Sequence, residues 1–216
     1  MAMESSRTFL PAAGVDWLLP LYDPIVNLIG AGSARKVLLE LAVPVSGDCV
    51  LDIGCRTGTF AVRIKTEHPD LDVVGLDPDP KALVRAKRKA GVASAAVRFD
   101  KGFADELPYK NESINHVFSS FMFHHLPSDV KLGTLREVRR VLKAGGSLCL
   151  LDFGGPEAPG HGILSHLFQS NHRLEENSEG SVLAYMERAG FPKFEKVTER
   201  SSLFGLIQLI YFRAIA

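Results

Sequence analysis

The spacing of apolar residues changes character several times along the chain, and each change marks an element. Over the first 45 residues the period is helical. In YDPIVNLIG, Asp23 can cap a helix, Pro24 suits its first turn and Gly30 its end; a second helix from Ser33 places Val37, Leu38 and Leu41 on one face. Short continuous apolar runs then alternate with helical stretches. Cys49 to Ile53 (CVLDI) reads as a strand that enters a glycine-containing turn. A helix from about Thr57 follows, with Phe60, Ala61 and Ile64 at helical spacing, and Pro69 stops it. Leu71 to Asp77 is a second strand, and Asp79 with Pro80 opens a helix that Gly91 closes. Ala95 to Phe99 is a weak third strand and Ile114 to Ser120 a fourth. Ser128 is placed to cap a helix carrying Leu132, Leu135, Val138 and Leu142, ending at Gly145 and Gly146. Ser147 to Phe153 is the fifth strand.

Strands that alternate with helices of this length require parallel crossovers, which predicts an α/β, doubly wound sheet. The tail breaks the alternation. A loop rich in Gly, His and Pro (Gly154 to Asn171) precedes a helix around Val182 to Ala189. Two strands, near Phe194 to Arg200 and Leu206 to Ala214, are joined by a short link and read as a hairpin. The expected architecture is a mostly parallel seven-stranded sheet with an antiparallel last strand, residues 46–216 forming a Rossmann-like domain and residues 1–45 a helical N-terminal cap.

Composition narrows the function classes. With 46% apolar and 23% charged residues the chain can bury a core, and its 25 basic side chains balance 25 acidic ones. A neutral chain lacks the broad positive field of non-specific nucleic-acid binders, so no nucleic-acid partner is expected. Three cysteines, Cys49, Cys55 and Cys149, form neither a disulfide framework nor a metal-spaced set, which suits a reducing, cytoplasmic setting. The N-terminus carries no secretory pattern, and LFGLIQLIYF is too short to cross a bilayer, so no membrane span is expected. His161, His166 and His172 are five and six residues apart, whereas a helical metal pair wants three or four; no metal is expected. The basic residues of KALVRAKRKA read as the exposed side of an amphipathic helix.

The turn after Ile53 carries the candidate chemistry. In open α/β sheets ligands lie at the carboxyl ends of the strands, where strand order reverses. Backbone N–H groups of such a turn, with the helix N-terminus behind it, favour an electron-rich ligand group. The dinucleotide fingerprint G-x-G-x-x-G fails: counted from Gly54, its third place is Arg56 and its sixth Thr59, and Gly58 falls fifth. Two strand-end carboxylates suggest another ligand. Asp77 can accept both hydroxyls of a ribose, and Asp52 can meet an ammonium. A ribose, an amino-acid end and a positive centre together describe S-adenosylmethionine.

The segments VLDIGCRTG, VVGLDPDP, ADELPYKNESINHVFSS, FMFHHLP and LREVRRVLKAGGSLCLLDF resemble, in order and spacing, successive motifs of the class I S-adenosylmethionine-dependent methyltransferases. The likeness is to the small-molecule group that includes the ubiquinone and menaquinone biosynthesis enzymes, and it runs from about Tyr22 to Phe191. The resemblance implies methyl transfer to O, N or C of a small organic acceptor. It places the glycine loop on Asp52, Gly54, Cys55, Arg56 and Gly58, the ribose contact on Asp77 beside Pro78, and the adenine contact on Phe103 and Ala104. Ser119 and Ser120 would wall the site after the fourth strand. His124 and His125, at its mouth, are candidate general bases, and residues near Tyr22 and in the Gly154 to Asn171 loop would shape the acceptor pocket.

Three positions depart from the family pattern: Arg56 stands for the middle glycine, Phe103 for an adenine-binding Asp, and Ser113-Ile114-Asn115 for Ser-Phe-Asp. A left-handed backbone at a non-glycine position costs about 1–2 kcal/mol. A lost amide-to-carboxylate hydrogen bond costs about 1.5–3 kcal/mol. Stacking of Phe103 on adenine and pairing of Arg56 with the ligand carboxylate would compensate. The alternative is a catalytically degenerate methyltransferase fold that binds a small molecule or a protein partner.

Overall fold

The computed structural model describes residues 30–154, 179–202 and 207–216. Its strands are β1 (Cys49–Ile53), β2 (Asp72–Asp77), β3 (Val97–Lys101), β4 (Ile114–Ser120), β5 (Leu142–Phe153), β6 (Lys193–Ser202) and β7 (Ile207–Ile215). Its helices are α1 (Ala31–Ala42), α2 (Thr59–Glu67), α3 (Pro80–Val92), α4 (Ser128–Val141) and α5 (Glu179–Arg188), with a 3-10 turn at Phe123–His125. The strands form one seven-stranded sheet in the order β3-β2-β1-β4-β5-β7-β6. All neighbours from β3 to β5 are parallel, and β7 runs antiparallel to both β5 and β6. The doubly wound α/β fold with a reversed last strand is therefore as the sequence pattern predicts.

The chain builds outward from β1 to β3, then returns to the other side of β1 for β4 and β5. Strand order thus reverses between β1 and β4, where Ile53 lies level with Ser119. Alternate strand residues face opposite layers. Val50, Val73, Phe118 and Leu151 pack under α1, α2 and α3; Leu51, Val74, Val117 and Leu150 pack under α4 and α5. Both faces are covered, which is why the parallel strands read as continuous apolar runs. Among the described residues no helix is long and apolar enough to cross a membrane, no cluster of three or more potential metal ligands occurs, and Cys49, Cys55 and Cys149 are free thiols.

Element boundaries follow tertiary pairing where local signals compete with it. Asp79 caps α3 as expected, its carboxylate accepting the N–H of Lys81 at 2.8 Å with Pro80 behind it. Ser128 does not cap α4; it is the first helical residue, follows Pro127, and makes no capping bond. Helix α1 starts at Ala31, not Ser33, after Gly30 in a left-handed conformation (φ 82°). Strand β3 lies two residues later than its pattern suggests, in register with β2 through Val73 and Val97. The largest shift is at β5, which begins at Leu142, so α4 ends before the Gly145-Gly146 pair. Leu142 pairs with Ile114, and Gly145 and Gly146 exchange backbone bonds with Ala216 near the chain's end. At Gly146 a Cβ would lie 2.8 Å from the Asn115 carbonyl oxygen, so the glycine admits a close strand approach there. The helix expected around Asp23, with Tyr22, and the Gly154 to Asn171 loop beyond Gly154 itself, with His161, His166 and nearby His172, lie outside the described residues.

Two glycines separate packing from propensity. Gly58 has φ 71°, and a Cβ on it would sit 2.7 Å from the Ala86 Cβ and 2.8 Å from the Phe99 ring. Gly91, in α3, has nothing within 4 Å of its Cβ position. Gly58→Ala should cost roughly 2–5 kcal/mol, from strain and overpacking together. Gly91→Ala should gain up to about 1 kcal/mol. Urea unfolding midpoints of the two variants check this contrast.

Candidate nucleoside-binding site

The turn from Gly54 to Gly58 joins β1 to α2 at the point where strand order reverses. Gly54 (φ 68°), Arg56 (φ 52°) and Gly58 (φ 71°) all adopt left-handed backbone. The N–H groups of Gly54 and Cys55 both donate to the Leu76 carbonyl, at 2.8 and 3.0 Å, and that of Gly58 donates to the Cys55 carbonyl at 2.8 Å. The Arg56 N–H donates to Asp77 Oδ2 at 2.8 Å. This corrects the expectation that the turn's amides face a ligand: four of them hold the turn together and against the end of β2. Cys55 turns its thiol away, for a Cβ on Gly75 would lie 2.8 Å from its Sγ. Burial pushes that thiol well above its ordinary range.

The strand-end carboxylates differ in what they hold. Asp77 is buried; its Oδ1 accepts the Asp79 N–H at 2.9 Å and its Oδ2 the Arg56 N–H. Burial raises its pKa against the pull of those two N–H groups and of the Arg56 guanidinium. Each oxygen keeps a lone pair for a further donor. The exit from β3 is tied to the same spot, because the Gly102 N–H donates to the Asp77 carbonyl at 3.2 Å. Phe103 and Ala104, both half-buried, follow directly from that tie.

Asp52 is 1% exposed, and neither of its carboxylate oxygens has a hydrogen-bond partner. Burial pushes its pKa up to about 7; Arg35 and the nearby Ala61 N–H draw it down and Asp77 pushes it further up. Arg35 forms no ion pair with it: this buried α1 side chain donates to Ser120 Oγ at 3.2 Å and lies over the rings of Phe60 and Phe121. The buried Oγ of Ser119 is also without a partner.

Residues after β4 complete the mouth, several of them without a sequence signal. Phe121, with φ 55°, presents its carbonyl to the Arg56 guanidinium at 3.2 Å. Arg56 thus ties the β1 turn to the β4 loop. Met122 covers the glycine turn: a Cβ on Gly54 would lie 2.3 Å from Met122 Cγ. His124 is held by Asp152 of β5, whose Oδ2 accepts its backbone N–H at 2.8 Å and whose Oδ1 lies 2.5 Å from its Nδ1. The ring of His125 stacks on that of His124 at 3.9 Å between centroids. Asp152 is missed by reading the chain alone, though it stands one residue before the end of an apolar strand, as Asp52 does.

A reversed seventh strand, a glycine turn at the switch point and carboxylates at the tips of β1 and β2 define the Rossmann-like methyltransferase class. A family model described as a methyltransferase domain matches residues 50–146. Over 154 residues the chain is 34% identical to the demethylmenaquinone methyltransferase of Deinococcus radiodurans, covering 70% of this chain and 63% of that protein, just under two-thirds of its length. It is 30% identical over 154 residues to the demethylmenaquinone methyltransferase of Thermus thermophilus, covering 70% and 69%. The crystal structure of an S-adenosylmethionine-dependent methyltransferase from Aquifex aeolicus shares the fold, with a TM-score of 0.70 at 19% identity over 93% of this chain and 98% of that one. The chain belongs to the class I S-adenosylmethionine-dependent methyltransferase domain family and is related to the ubiquinone- and menaquinone-type members.

Two outcomes follow for stability. Asp52 titrates near 7 when folded against 3.8 as its ordinary value, so the folded state holds its proton more tightly. Stability from this group is therefore present at low pH and is lost as pH rises from about 4 to about 7. Asp52→Asn should gain on the parent protein by roughly 3 kcal/mol more at about pH 8 than at about pH 5. Denaturant unfolding at the two pH values measures it. At position 56, both Gly and Ala remove the guanidinium, but only Gly accepts φ 52° without strain. Arg56→Gly should therefore be about 1 kcal/mol more stable than Arg56→Ala, read from thermal melts.

Proposed function

We propose that the protein binds S-adenosylmethionine across the carboxyl ends of β1, β2 and β4 and transfers its methyl group to a small organic acceptor. The observation that carries this reading is the buried carboxylate of Asp52, without a hydrogen-bond partner on the strand that enters the glycine turn, together with the Asp77 carboxylate that the Arg56 N–H of that turn and the Asp79 N–H hold. A buried carboxylate without a partner must take up a proton or meet a cation. The ammonium of a methionine group is such a cation. Asp77, its carboxylate fixed by two N–H groups, has lone pairs left for two ribose hydroxyls. Phe103 and Ala104, tied to the same strand tip through Gly102, form an apolar seat for adenine. Ser119 offers an unused hydroxyl at the β4 tip. The residues present therefore fit the group.

When bound, S-adenosylmethionine supplies a methyl carbon activated by a sulfonium. The chain's own contribution is alignment: carboxylates at both ends fix the donor, and the loop after β4 faces the acceptor. Holding two reactants in line replaces a bimolecular encounter and lowers the barrier by itself. The names of the two demethylmenaquinone methyltransferases support a small organic acceptor for this chain as well.

A second reading, a binding domain that has lost methyl transfer, rests on Arg56 bridging the two loops and on Met122 packed over Gly54. Calorimetric titration with S-adenosylhomocysteine separates the two. Saturable binding is expected, and Asp77→Asn should weaken it by roughly 10- to 100-fold, the worth of one charge-assisted hydrogen bond, with an unchanged circular dichroism spectrum. Silence of the parent protein at millimolar ligand would favour the second reading.

A further inference from the structure

Asp152 is fully buried in β5, an expensive place for a carboxylate, and nothing in the packing of that strand calls for one. Its hydrogen bonds converge on one place. Oδ2 accepts the backbone N–H of His124, while Oδ1 meets the His124 ring at Nδ1 and accepts the N–H of Phe153 at 2.9 Å. A single carboxylate thus fixes both the main chain and the ring of one histidine. The ring is held from two further directions, by the stacked His125 and by the edge-on Phe153 ring at 5.1 Å. A carboxylate oxygen facing Nδ1 accepts its hydrogen bond, so in the neutral ring Nδ1 is the donor and Nε2 presents the lone pair. Among the described residues Nε2 makes no hydrogen bond. The ring lies two residues beyond Met122, which covers the glycine turn, and three beyond Phe121, which takes the Arg56 guanidinium.

From this geometry we infer that His124 and Asp152 form a base dyad on the acceptor side of the site, and that the acceptor is a hydroxyl-bearing molecule of the phenol or enol class. The inference rests on the methyl-transfer reading above. A tertiary amine or thioether attacks through a lone pair with no proton to lose, and a fixed base gives it nothing. A hydroxyl must shed a proton. Its oxygen forms a bond to the methyl carbon as the carbon–sulfur bond breaks, and that electron pair stays on sulfur and cancels its charge. The hydroxyl proton passes to Nε2, Asp152 faces the resulting imidazolium, and the proton then leaves to water. His124 is the catalytic residue of this pair and Asp152 the positioning residue, a division of labour in which a general base typically contributes about 100- to 10,000-fold in rate.

The test is nitrogen NMR of the histidine rings in the full chain, saturated with S-adenosylhomocysteine and titrated with catechol as the hydroxyl probe and N,N-dimethylaniline as the tertiary-amine control. Assignment uses the resonances lost in His124→Gln. In the parent protein His124 should show a protonated Nδ1 and an unprotonated Nε2, and catechol alone should shift Nε2. In Asp152→Asn the two nitrogens should exchange character, because an amide NH₂ can donate to Nδ1, and the catechol shift should vanish. A parent spectrum with the proton on Nε2, or catechol that leaves Nε2 unmoved, overturns the inference even if Asp152→Asn fails to fold. Loss of S-adenosylhomocysteine saturation would instead strike the methyl-transfer reading, since the ring tautomer is read without ligand as well.

Discussion

The carbonyl of Leu76 accepts two N–H groups from the turn after β1, and the Asp77 carboxylate beside it accepts a third. These three bonds join the tips of β1 and β2 at the place where strand order reverses. Much of the site follows from them. The amides of Gly54, Cys55 and Arg56 are thereby drawn toward β2 rather than toward a ligand, and Met122 covers the turn at Gly54. Drawing the turn inward also carries the Cys55 thiol under the sheet, where only a glycine at position 75 leaves room for it and for the Phe99 ring. Gly58 is needed for the same reason one turn later, pressed between Phe99 and Ala86. The glycines of this region are thus consequences of close packing as much as of ligand approach.

Three carboxylates close to strand ends then receive three different treatments. Asp77 is satisfied by backbone amides and retains spare lone pairs. Asp152 is satisfied by a histidine and its main chain. Neither oxygen of Asp52 has a hydrogen-bond partner, although Arg35 and the Ala61 N–H lie near enough to act on it. Folding alone would favour an apolar residue in each of these buried places. What distinguishes Asp52 is that, of the three, it alone has no hydrogen-bond partner, so its burial weighs most heavily on its charge.

The strands were legible because both faces of the sheet are covered, so CVLDI, INHVFSS and SLCLLDF stand out as apolar runs. Asp79 and Pro80 announced α3 because a cap acts within one turn of chain. What failed to show was whatever depends on distant partners. Gly145 and Gly146 look like a helix stop, but bonds to Ala216, at the far end of the sequence, make them part of a strand. The turn's amides look available until the Leu76 carbonyl is placed beside them. Asp152 and His124 are 28 residues apart, on different elements, and no period in the sequence links them. Arg35 lies on a helix whose apolar pattern gives no hint that a cation is buried among Phe60, Phe121 and Ser120.

These constraints meet at Arg56. On its own it is a misfit, a long side chain on a left-handed backbone that favours glycine. Across the cleft stands Phe121, another non-glycine residue with positive φ. One hydrogen bond from guanidinium to carbonyl joins them. Each conformation costs about 1–2 kcal/mol, and a bond to a charged donor returns about 1.5–3 kcal/mol. Neither strained residue is therefore an isolated defect; each supports the other's geometry. The same bond couples the loop that would hold the donor to the loop that carries Met122 and His124. A glycine at position 56 would relax the turn but release that coupling, so the departure from the family pattern exchanges local comfort for a fixed distance between two halves of one site.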